Sequence, residues 1–248
     1  MNFDPLDNLN GQTAVITGVC GGIGYATAVR LASRGARIVG LVRKDLESAQ
    51  TKLNQLPNPE LKHLALLADI NHGVQLTDAA NLIDRCDILV NSAGSSVFIP
   101  HYQVELLNDE LFDEILINNL RSVFATIRTF VPLLKQSDTA VIINIGSVSA
   151  TRGGGSNIAY AAAKAGVDSL TRNLAKSLAP IRVLSISPGA VDTTFVKNKP
   201  ENLLENTTKR SILQRGATVD EVAMVVEMYT TMLRFNTGII IPVDGGII

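Results

Sequence analysis

The chain alternates between short runs of apolar residues and longer segments in which apolar residues recur at helical spacing. A continuous apolar run of about four to eight residues is typical of a parallel strand that is buried on both faces of a sheet. Such runs stand at residues 13–17, 37–42, 63–68, 87–91, 139–146, 181–187 and 239–243. We predict a strand at each of them.

The segments between these runs predict helices. Their apolar residues keep a helical period at residues 25–32, 45–56, 75–84, 108–134, 160–178 and 219–233. Asn118 and Asn119 interrupt the longest segment, which predicts a bend or a water-binding amide. Six strand–helix alternations and a closing strand predict one α/β domain over residues 1–248, with a doubly wound seven-stranded parallel sheet and helices on both faces. The polar segment 195–215 predicts a substrate loop.

Composition and charge narrow the class of protein. With 46% hydrophobic residues, 18% charged residues and 19 glycines, the chain has the composition of a folded α/β protein. The net charge of −1 leaves no basic excess for nucleic acid or an anionic membrane. Cys20 and Cys86 form no CxxC pair, and His63, His72 and His101 have no neighbours at ligand spacing, so we assign no metal site. Because no apolar run resembles a secretion signal or a membrane span, we expect a soluble, cytoplasmic protein.

Glycines follow the first predicted strand. In residues 17–24, TGVCGGIG, they let the backbone turn tightly before a helix, whose N-terminus suits a pyrophosphate. The spacing is GxxxGxG, with Thr27 where the GxGxxG motif has its third glycine, and an ordinary tight turn gives the same local pattern. The second strand ends at Val42, and Arg43 and Lys44 follow it, at the place where an acid favours NAD and an arginine accommodates the 2′-phosphate of NADP. Arg43 therefore favours NADP(H) over NAD(H). Asp45 is close enough to bind the ribose of NAD(H), so that cofactor stays an alternative.

Tyr160 and Lys164 stand four residues apart in a predicted helix, so their side chains project from one face. A tyrosine keeps its proton up to about pH 10 unless a nearby cation stabilises its phenolate. Ser147 follows the fifth strand, at the edge of a parallel sheet where ligands bind. An exposed Tyr–Lys pair on a helix and a serine in a turn would have the same sequence. Whether these residues are catalytic therefore depends on the other motifs of the chain.

Six motifs occur in one order along the chain: Thr17-Gly18-x-x-x-Gly22-Ile23-Gly24, Asn91-Ser92-Ala93-Gly94, Asn119, Ser147, Tyr160-x-x-x-Lys164 and Pro188-Gly189. Together they resemble the short-chain dehydrogenase/reductase family over nearly the whole chain, and most of all its 3-oxoacyl-acyl-carrier-protein reductase branch. Two departures are small, because Asn-Ser-Ala-Gly replaces Asn-Asn-Ala-Gly and Gly146 precedes the serine where another serine is common. The resemblance implies a Rossmann-type domain that binds NAD(P).

The resemblance also implies a role for each matching residue. Tyr160 would be the general acid in carbonyl reduction and the general base in alcohol oxidation. Lys164 would lower the pKa of Tyr160 and bond the nicotinamide ribose, Ser147 would hold the substrate carbonyl, and Asn119 would hold a water that links Lys164 to solvent. Further cofactor contacts are implied for Gly18, Ile23 and Gly24 at the pyrophosphate, Asp69 and Ile70 at the adenine, Asn91 and Gly94 at the ribose, Val191 and Thr193 at the carboxamide, and for Gly22, Arg43, Ala93, Pro188 and Gly189.

The leading hypothesis is an NADP(H)-dependent oxidoreductase that interconverts a small-molecule carbonyl and a secondary alcohol, with a 3-oxoacyl thioester as a candidate substrate. One alternative is an NAD-dependent alcohol, sugar or steroid dehydrogenase. Another is an NADP-binding sensor or scaffold without turnover. Such a protein does not need the four candidate catalytic residues that this chain retains. The family and the alanine-rich helix that begins at Tyr160 predict a homotetramer or a homodimer. The sequence does not identify the substrate.

Overall fold

The computed structural model describes residues 8–247, without the side chains of residues 204, 206 and 207. A parallel sheet forms the centre of the fold. The strands in chain order are β1 (Thr13–Thr17), β2 (Arg37–Val42), β3 (Leu64–Leu67), β4 (Ile88–Asn91), β5 (Ser96–Val97), β6 (Val141–Ile145), β7 (Arg182–Pro188), β8 (Val196–Lys197) and β9 (Ile240–Val243). Seven of them make the central sheet in the order β3-β2-β1-β4-β6-β7-β9, and β5 and β8 form a separate pair.

The order of the strands creates a crevice in the middle of the sheet. From β1 the chain runs outward through β2 to β3, returns to β4 on the other side of β1, and then runs outward to β9. In such a sheet, ligands bind outside the carboxyl ends of the strands at the point where the order reverses. That point lies between β1 and β4. The predicted doubly wound, seven-stranded sheet is confirmed, and each strand coincides with its predicted run to within two residues.

The helices cover both faces of the sheet. They are α1 (Gly22–Ser33), α2 (Leu46–Leu53), α3 (Gly73–Asn81), α4 (Asp109–Leu116), α5 (Ser122–Leu134), α6 (Ser149–Arg152), α7 (Ile158–Ser177), α8 (Leu203–Thr208) and α9 (Val219–Thr231). Helices α1, α2 and α9 pack on one face, and α3, α5 and α7 pack on the other. Side chains of the central strands alternate between the two cores, with Ala14 and Ile16 in the first and Val15 in the second. This alternation explains why the strands are apolar throughout.

The long predicted helix over residues 108–134 is interrupted, as its two asparagines predict. Helix α4 leads into a π-helical segment, Ile117–Arg121, and α5 follows it. Such wider turns inside α-helices occur frequently at functional sites. Here the π-helical segment carries both asparagines, and it turns Asn119 into the protein interior, where its side chain is fully buried.

Residues 195–215 are more structured than the sequence predicts. Strand β8 pairs in parallel with β5, Ser96 opposite Val196 and Val97 opposite Lys197, and helix α8 follows. Strands of two residues carry too little periodicity to be recognised in a sequence. Residues of this segment line the cleft described below, and its role as a substrate loop stays a prediction.

Candidate active site

A cleft of about 710 Å³ opens at the carboxyl edge of the sheet. The ends of β2, β6 and β7 line it, together with the loops that follow β1 and β4. It therefore lies at the reversal point of the strand order, where the topology places a ligand site. Sixteen of the eighteen predicted site residues line this cleft: Gly18, Gly22, Ile23, Gly24, Arg43, Asp69, Ile70, Ala93, Gly94, Ser147, Tyr160, Lys164, Pro188, Gly189, Val191 and Thr193.

The loop after β1 is built around glycines at positions where a side chain would not fit. Gly18 has φ +67°, and a Cβ atom there would lie 2.9 Å from the Cα of Ala93. A Cβ atom on Gly24 would overlap the main-chain oxygen of Gly18. The hydroxyl of Thr17 accepts hydrogen bonds from the main-chain N–H groups of Ser92 and Ala93, at 3.1 and 3.0 Å. The loops after β1 and β4 are thereby held together.

Helix α1 begins in this glycine loop and presents its N-terminus to the cleft. Its N-cap is Gly21, and among the described residues no side chain caps it and no acid stands in its first turn. Main-chain N–H groups and the helix dipole therefore favour an anion at this place.

The cleft extends from the glycine loop to the ends of β2 and β3. Arg43 is exposed there, and Asp69 and Ile70 lie beside it on the lining. Asp45 takes the left-handed conformation at φ 59° and caps helix α2, where its Oδ1 accepts a hydrogen bond from the N–H of Ser48 at 3.2 Å. The basic side chain of Arg43 thus lines the cleft, and the carboxylate of Asp45 caps helix α2.

Tyr160 and Lys164 lie at the opposite end of the cleft, on α7. The Oδ1 atom of Asn157 caps this helix by accepting a hydrogen bond from the N–H of Tyr160 at 2.8 Å. The Nζ atom of Lys164 lies 5.6 Å from the centre of the Tyr160 ring and donates a hydrogen bond to the main-chain oxygen of Ile145 at 2.7 Å. The ring of Phe195 packs against the Tyr160 ring, with 5.5 Å between their centres.

Ser147 lies between β6 and α6, beside the same wall. Its Oγ atom is 2.8 Å from the Oγ of Ser149, and it accepts a hydrogen bond from the N–H of Ser149 at 3.2 Å. Its hydroxyl also acts on the neighbouring Tyr160 and lowers the pKa of the phenol. A phenol and a hydroxyl are therefore available to one ligand atom.

Burial dominates the acid–base chemistry of Tyr160 and Lys164. It raises the pKa of Tyr160 to about 12, an effect that Ser147 partly offsets. It lowers the pKa of Lys164 to about 8, an effect that the Asp168 carboxylate partly offsets. Burial thus disfavours the charged form of each group, and a lowering of the pKa of Tyr160 by the ammonium of Lys164 stays a prediction from the family resemblance.

Two of the predicted site residues do not line the cleft. Asn91 is buried within the sheet, where its Nδ2 donates to the Oδ1 of Asn144 at 2.9 Å. Asn119 is buried behind Gly94, and its Nδ2 donates to the main-chain oxygens of Ser95 and Ile115 at 2.8 and 2.9 Å. The Oδ1 atom of each has no hydrogen-bond partner in the part of the chain that the structure describes. Neither side chain therefore forms part of the cleft surface, and their contacts with the cofactor and with a water stay predictions.

The structure also places in the cleft residues to which the sequence assigns no contact with a ligand. Asn118, Ser149 and Phe195 line the cleft. Asn118 links the π-helical segment to the loop that carries Asn71, whose Nδ2 donates to the Asn118 Oδ1 at 2.6 Å. No periodicity distinguishes these residues, although the Asn118-Asn119 pair itself is a visible signal.

Within residues 8–247, no three histidine, cysteine, aspartate or glutamate side chains are arranged to hold a metal ion. The described helices also include none with the length and apolar character that crossing a membrane requires.

Comparison with known proteins assigns the family. The family described as short chain dehydrogenase matches residues 12–204. A 3-oxoacyl-acyl-carrier-protein reductase from Thermotoga maritima is 29% identical over 246 residues, which cover 97% of this chain and 99% of that protein. The structure of a 3-ketoacyl-acyl-carrier-protein reductase from Brucella melitensis complexed with NADH is similar with a TM-score of 0.84 at 30% identity, over 96% of this chain and 99% of that chain. The RhlG/NADP active-site complex from Pseudomonas aeruginosa has a TM-score of 0.82 at 30% identity, over 98% of this chain and 99% of that chain. The chain belongs to the short chain dehydrogenase family of oxidoreductases.

Proposed function

We propose that this protein is a cytoplasmic, NADP(H)-dependent oxidoreductase that interconverts a carbonyl and a secondary alcohol. The observation that carries this proposal is the position of Tyr160, Ser147 and Lys164 along one wall of the cleft whose other end is the glycine loop. A proton donor and a nucleotide cradle are thereby joined in one continuous site. Membership of the family indicates the class of reaction, and these three side chains can carry out the proton transfer.

The residues present fit a dinucleotide. Gly18 and Gly24 let the backbone of the glycine loop pack closely on itself and on the loop after β4, and the N-terminus of α1 that follows can receive a pyrophosphate. Asp69 and Ile70 would lie at the adenine, and Val191 and Thr193 at the carboxamide, since they line the cleft at its two ends. NADP(H) supplies the hydride or accepts it when bound.

Tyr160 moves the proton in this mechanism. In reduction, the hydroxyls of Ser147 and Tyr160 donate hydrogen bonds to the carbonyl oxygen, and Tyr160 transfers its proton to that oxygen as it becomes an alkoxide. In oxidation, the phenolate of Tyr160 takes the proton back. A positioned acid–base group of this kind contributes about 10²–10⁴-fold to the rate. The ammonium of Lys164 stabilises the phenolate, and Asn119 supports the path by which Lys164 exchanges protons with solvent.

Two observations favour NADP(H) over NAD(H). Arg43 is exposed at the end of β2, where its guanidinium can pair with a 2′-phosphate. Asp45, the acid that would accept hydrogen bonds from a free 2′-hydroxyl, also lines the cleft, but its Oδ1 already accepts a hydrogen bond as the cap of α2. The relatives do not decide this point, because one is complexed with NADH and another with NADP.

A 3-oxoacyl thioester is the substrate class that we propose. It is supported by the acyl-carrier-protein reductases among the relatives, two of which are described above. The segment that carries β8 and α8 lies over the cleft and forms the wall that a long acyl chain would meet. Sugar and steroid alcohols use the same chemistry, so they belong in the same assay.

The test is turnover of a panel of ketones, 3-oxoacyl thioesters and secondary alcohols with NADPH and with NADH. We expect reduction of 3-oxoacyl thioesters with NADPH, and a loss of about 10²–10⁴-fold in the Tyr160→Phe variant, whose affinity for NADPH is retained. Tyr102→Phe is the matched control, because Tyr102 is exposed. NADPH binding without turnover of any compound would instead support a sensor or scaffold.

We also propose that the chain forms a homotetramer or a homodimer. Several large apolar side chains are exposed on α5, the π-helical segment and the region after α9, including Phe124, Ile117, Met232 and Phe235. Such side chains are candidates for burial between subunits, in addition to the expectation from the family. Light scattering at micromolar concentration gives the mass, and a monomer would contradict the proposal.

A further inference from the structure

A third ionisable group follows Tyr160 and Lys164 along helix α7. Tyr160, Lys164, Asp168 and Arg172 are spaced four residues apart, so their side chains share one face of the helix. The row runs from Tyr160 in the cleft to Arg172, which is exposed. Lys164 and Asp168 lie between them and are only 5% and 2% exposed. The mechanism above uses the first two side chains and leaves Asp168 without a role.

The carboxylate of Asp168 is poorly compensated where it lies. Its Oδ1 accepts a hydrogen bond from the Oγ of Ser185 at 3.0 Å, and its Oδ2 is buried without a partner among the described residues. The hydroxyl of Ser187, two residues along β7, is likewise buried and unpartnered within the described part of the chain. An ionised carboxylate can accept about four hydrogen bonds, so one bond leaves most of its desolvation uncompensated.

The backbone above Asp168 leaves room for the two serine hydroxyls that lie beside it. A Cβ atom on Gly146 would lie 2.6 Å from the Oγ of Ser185, 2.7 Å from the Oγ of Ser187 and 3.4 Å from the Oδ1 of Asp168. Gly146 stands between Ile145, whose oxygen binds Lys164, and Ser147. The polar cluster therefore lies directly beneath the strand end that carries the proposed substrate-binding serine.

Asp168 is the charged group that acts on Lys164. The hydrogen-bond partner of Lys164, the Ile145 oxygen, is neutral. Burial lowers the pKa of Lys164, and the carboxylate of Asp168 opposes this. Among the described residues, the charged groups that act on Asp168 are Arg172 and Lys164, whereas β6 and β7 contribute only the Ile145 oxygen and two serine hydroxyls. Helices α4 and α6 and the π-helical segment also pack on α7, and they place no charged group against this pair.

We propose that Asp168 is a positioning residue for the reaction, which keeps Lys164 in its ammonium form while Tyr160 gives up its proton. A buried lysine whose one hydrogen-bond partner is a carbonyl tends to lose its charge, and a neutral amine does not stabilise a phenolate. The carboxylate one helical turn away holds the positive charge in place. This inference rests on the proposed role of Tyr160, although its test does not depend on turnover.

The direct test is the titration of Lys164 in the Asp168→Asn variant. The side chain is followed by NMR in protein labelled with ¹³C at lysine Cε, and the Lys164→Arg spectrum assigns its signal. We expect Lys164 to lose its proton about one pH unit lower in Asp168→Asn than in the unsubstituted protein. Asp78→Asn is the matched control, because it removes an exposed carboxylate from α3 and should leave the Lys164 titration unchanged. An unchanged midpoint in Asp168→Asn overturns the proposal.

A second measurement needs no substitution at Asp168. In the unsubstituted protein, the Lys164 signal should show a further inflection at acid pH, where Asp168 takes up its proton, and a single alkaline inflection contradicts the proposal. This result remains accessible if Asp168→Asn does not fold.

The kinetic test compares pH profiles of kcat/KM for ketone reduction. We expect the alkaline limb, at which Lys164 loses its proton, to move to lower pH by about one unit in Asp168→Asn, and to return toward its original place in Asp168→Glu. A uniform loss of rate with an unmoved limb would indicate a purely structural role and overturn the proposal. If no compound is turned over, the proposed enzymatic function fails, whereas the NMR titration still decides the role of Asp168.

Discussion

The Nζ atom of Lys164 donates a hydrogen bond to the main-chain oxygen of Ile145, 2.7 Å away, at the last residue of β6. This bond joins α7, which carries Tyr160, to the strand end that leads to Ser147. It fixes the two walls of the cleft relative to each other. It also buries an ammonium against a neutral oxygen, which is unfavourable for folding.

The stability of the protein should depend on pH through Lys164. Burial lowers the pKa of Lys164 from 10.5 to about 8, so between these values the folded state binds fewer protons than the unfolded state. Stability from this group therefore rises as the pH rises from about 8 to 10.5, and it is lowest below pH 8. We expect the free energy of unfolding of Lys164→Met, relative to the unsubstituted protein, to fall across this range in urea titrations. Lys176→Met, an exposed change on the same helix, should show no such trend, and parallel curves for Lys164→Met would contradict the prediction.

The glycine loop should not tolerate a methyl group at Gly24. A Cβ atom there overlaps the Gly18 oxygen, so Gly24→Ala should destabilise the fold by about 1–3 kcal/mol and weaken NADPH binding. Gly73→Ala is the matched control, since a Cβ atom at Gly73 would meet no other atom within 4 Å and this residue opens helix α3. That substitution should be neutral or slightly stabilising. Thermal unfolding and NADPH fluorescence titration measure both effects, and equal behaviour of the two variants would refute the prediction.

Arg43 should discriminate between the two cofactors. Arg43→Ala removes the guanidinium proposed to pair with the 2′-phosphate, so we expect NADPH to bind about tenfold more weakly while NADH binding changes little. Lys135→Ala serves as a control for the loss of one exposed positive charge. Dissociation constants for both cofactors, measured by fluorescence, test this prediction. Equal losses for NADPH and NADH would exclude Arg43 as the selectivity residue.

Asn157 should matter for both stability and catalysis. It caps α7 at Tyr160, and its Nδ2 also donates to the Ser96 Oγ and the Val97 oxygen at 3.1 and 2.8 Å. Asn157→Ala should therefore lower stability by about 1–2 kcal/mol and also reduce kcat, because it releases the helix end that positions Tyr160. Asn108→Ala removes a comparable cap from α4, where Asn108 accepts from the N–H of Leu111 at 3.0 Å. We expect that control to lose stability alone, and an unaltered kcat in Asn157→Ala would count against the prediction.

Much of the fold could be predicted from the sequence because a strand buried on both faces requires a continuous apolar run. The run at residues 37–42 is an example, since it is almost wholly buried between two strands. Asn118 and Asn119 likewise revealed the interruption of a helix. The pair β5 and β8 could not be predicted, because two-residue strands form only where the tertiary structure brings them together.

Some residues of the candidate site could likewise be predicted from the sequence, and others could not. Glycines and the Tyr160–Lys164 pair are visible because their spacing is constrained by backbone geometry. Asp168 cannot be recognised in the sequence as a site residue, because an aspartate four residues after a lysine is more often part of a solvated helix face. Only its burial in the structure distinguishes it. The burial that raises the pKa of Tyr160 is also a property of packing and has no sequence signal.

The short pairing of β5 with β8 has a kinetic consequence. It joins the loop after β4 to the segment over the cleft, yet it spans only two residues on each strand. The N–H of Phe98 donates to the Lys197 oxygen at 3.0 Å, and Phe195 packs on Tyr160 beside it. Because this pairing has so few hydrogen bonds, it can open while the central sheet stays folded. Such an opening moves a whole segment, so it is slow compared with motions of single side chains. We therefore expect departure of the product to limit turnover, so that kcat falls as solvent viscosity rises.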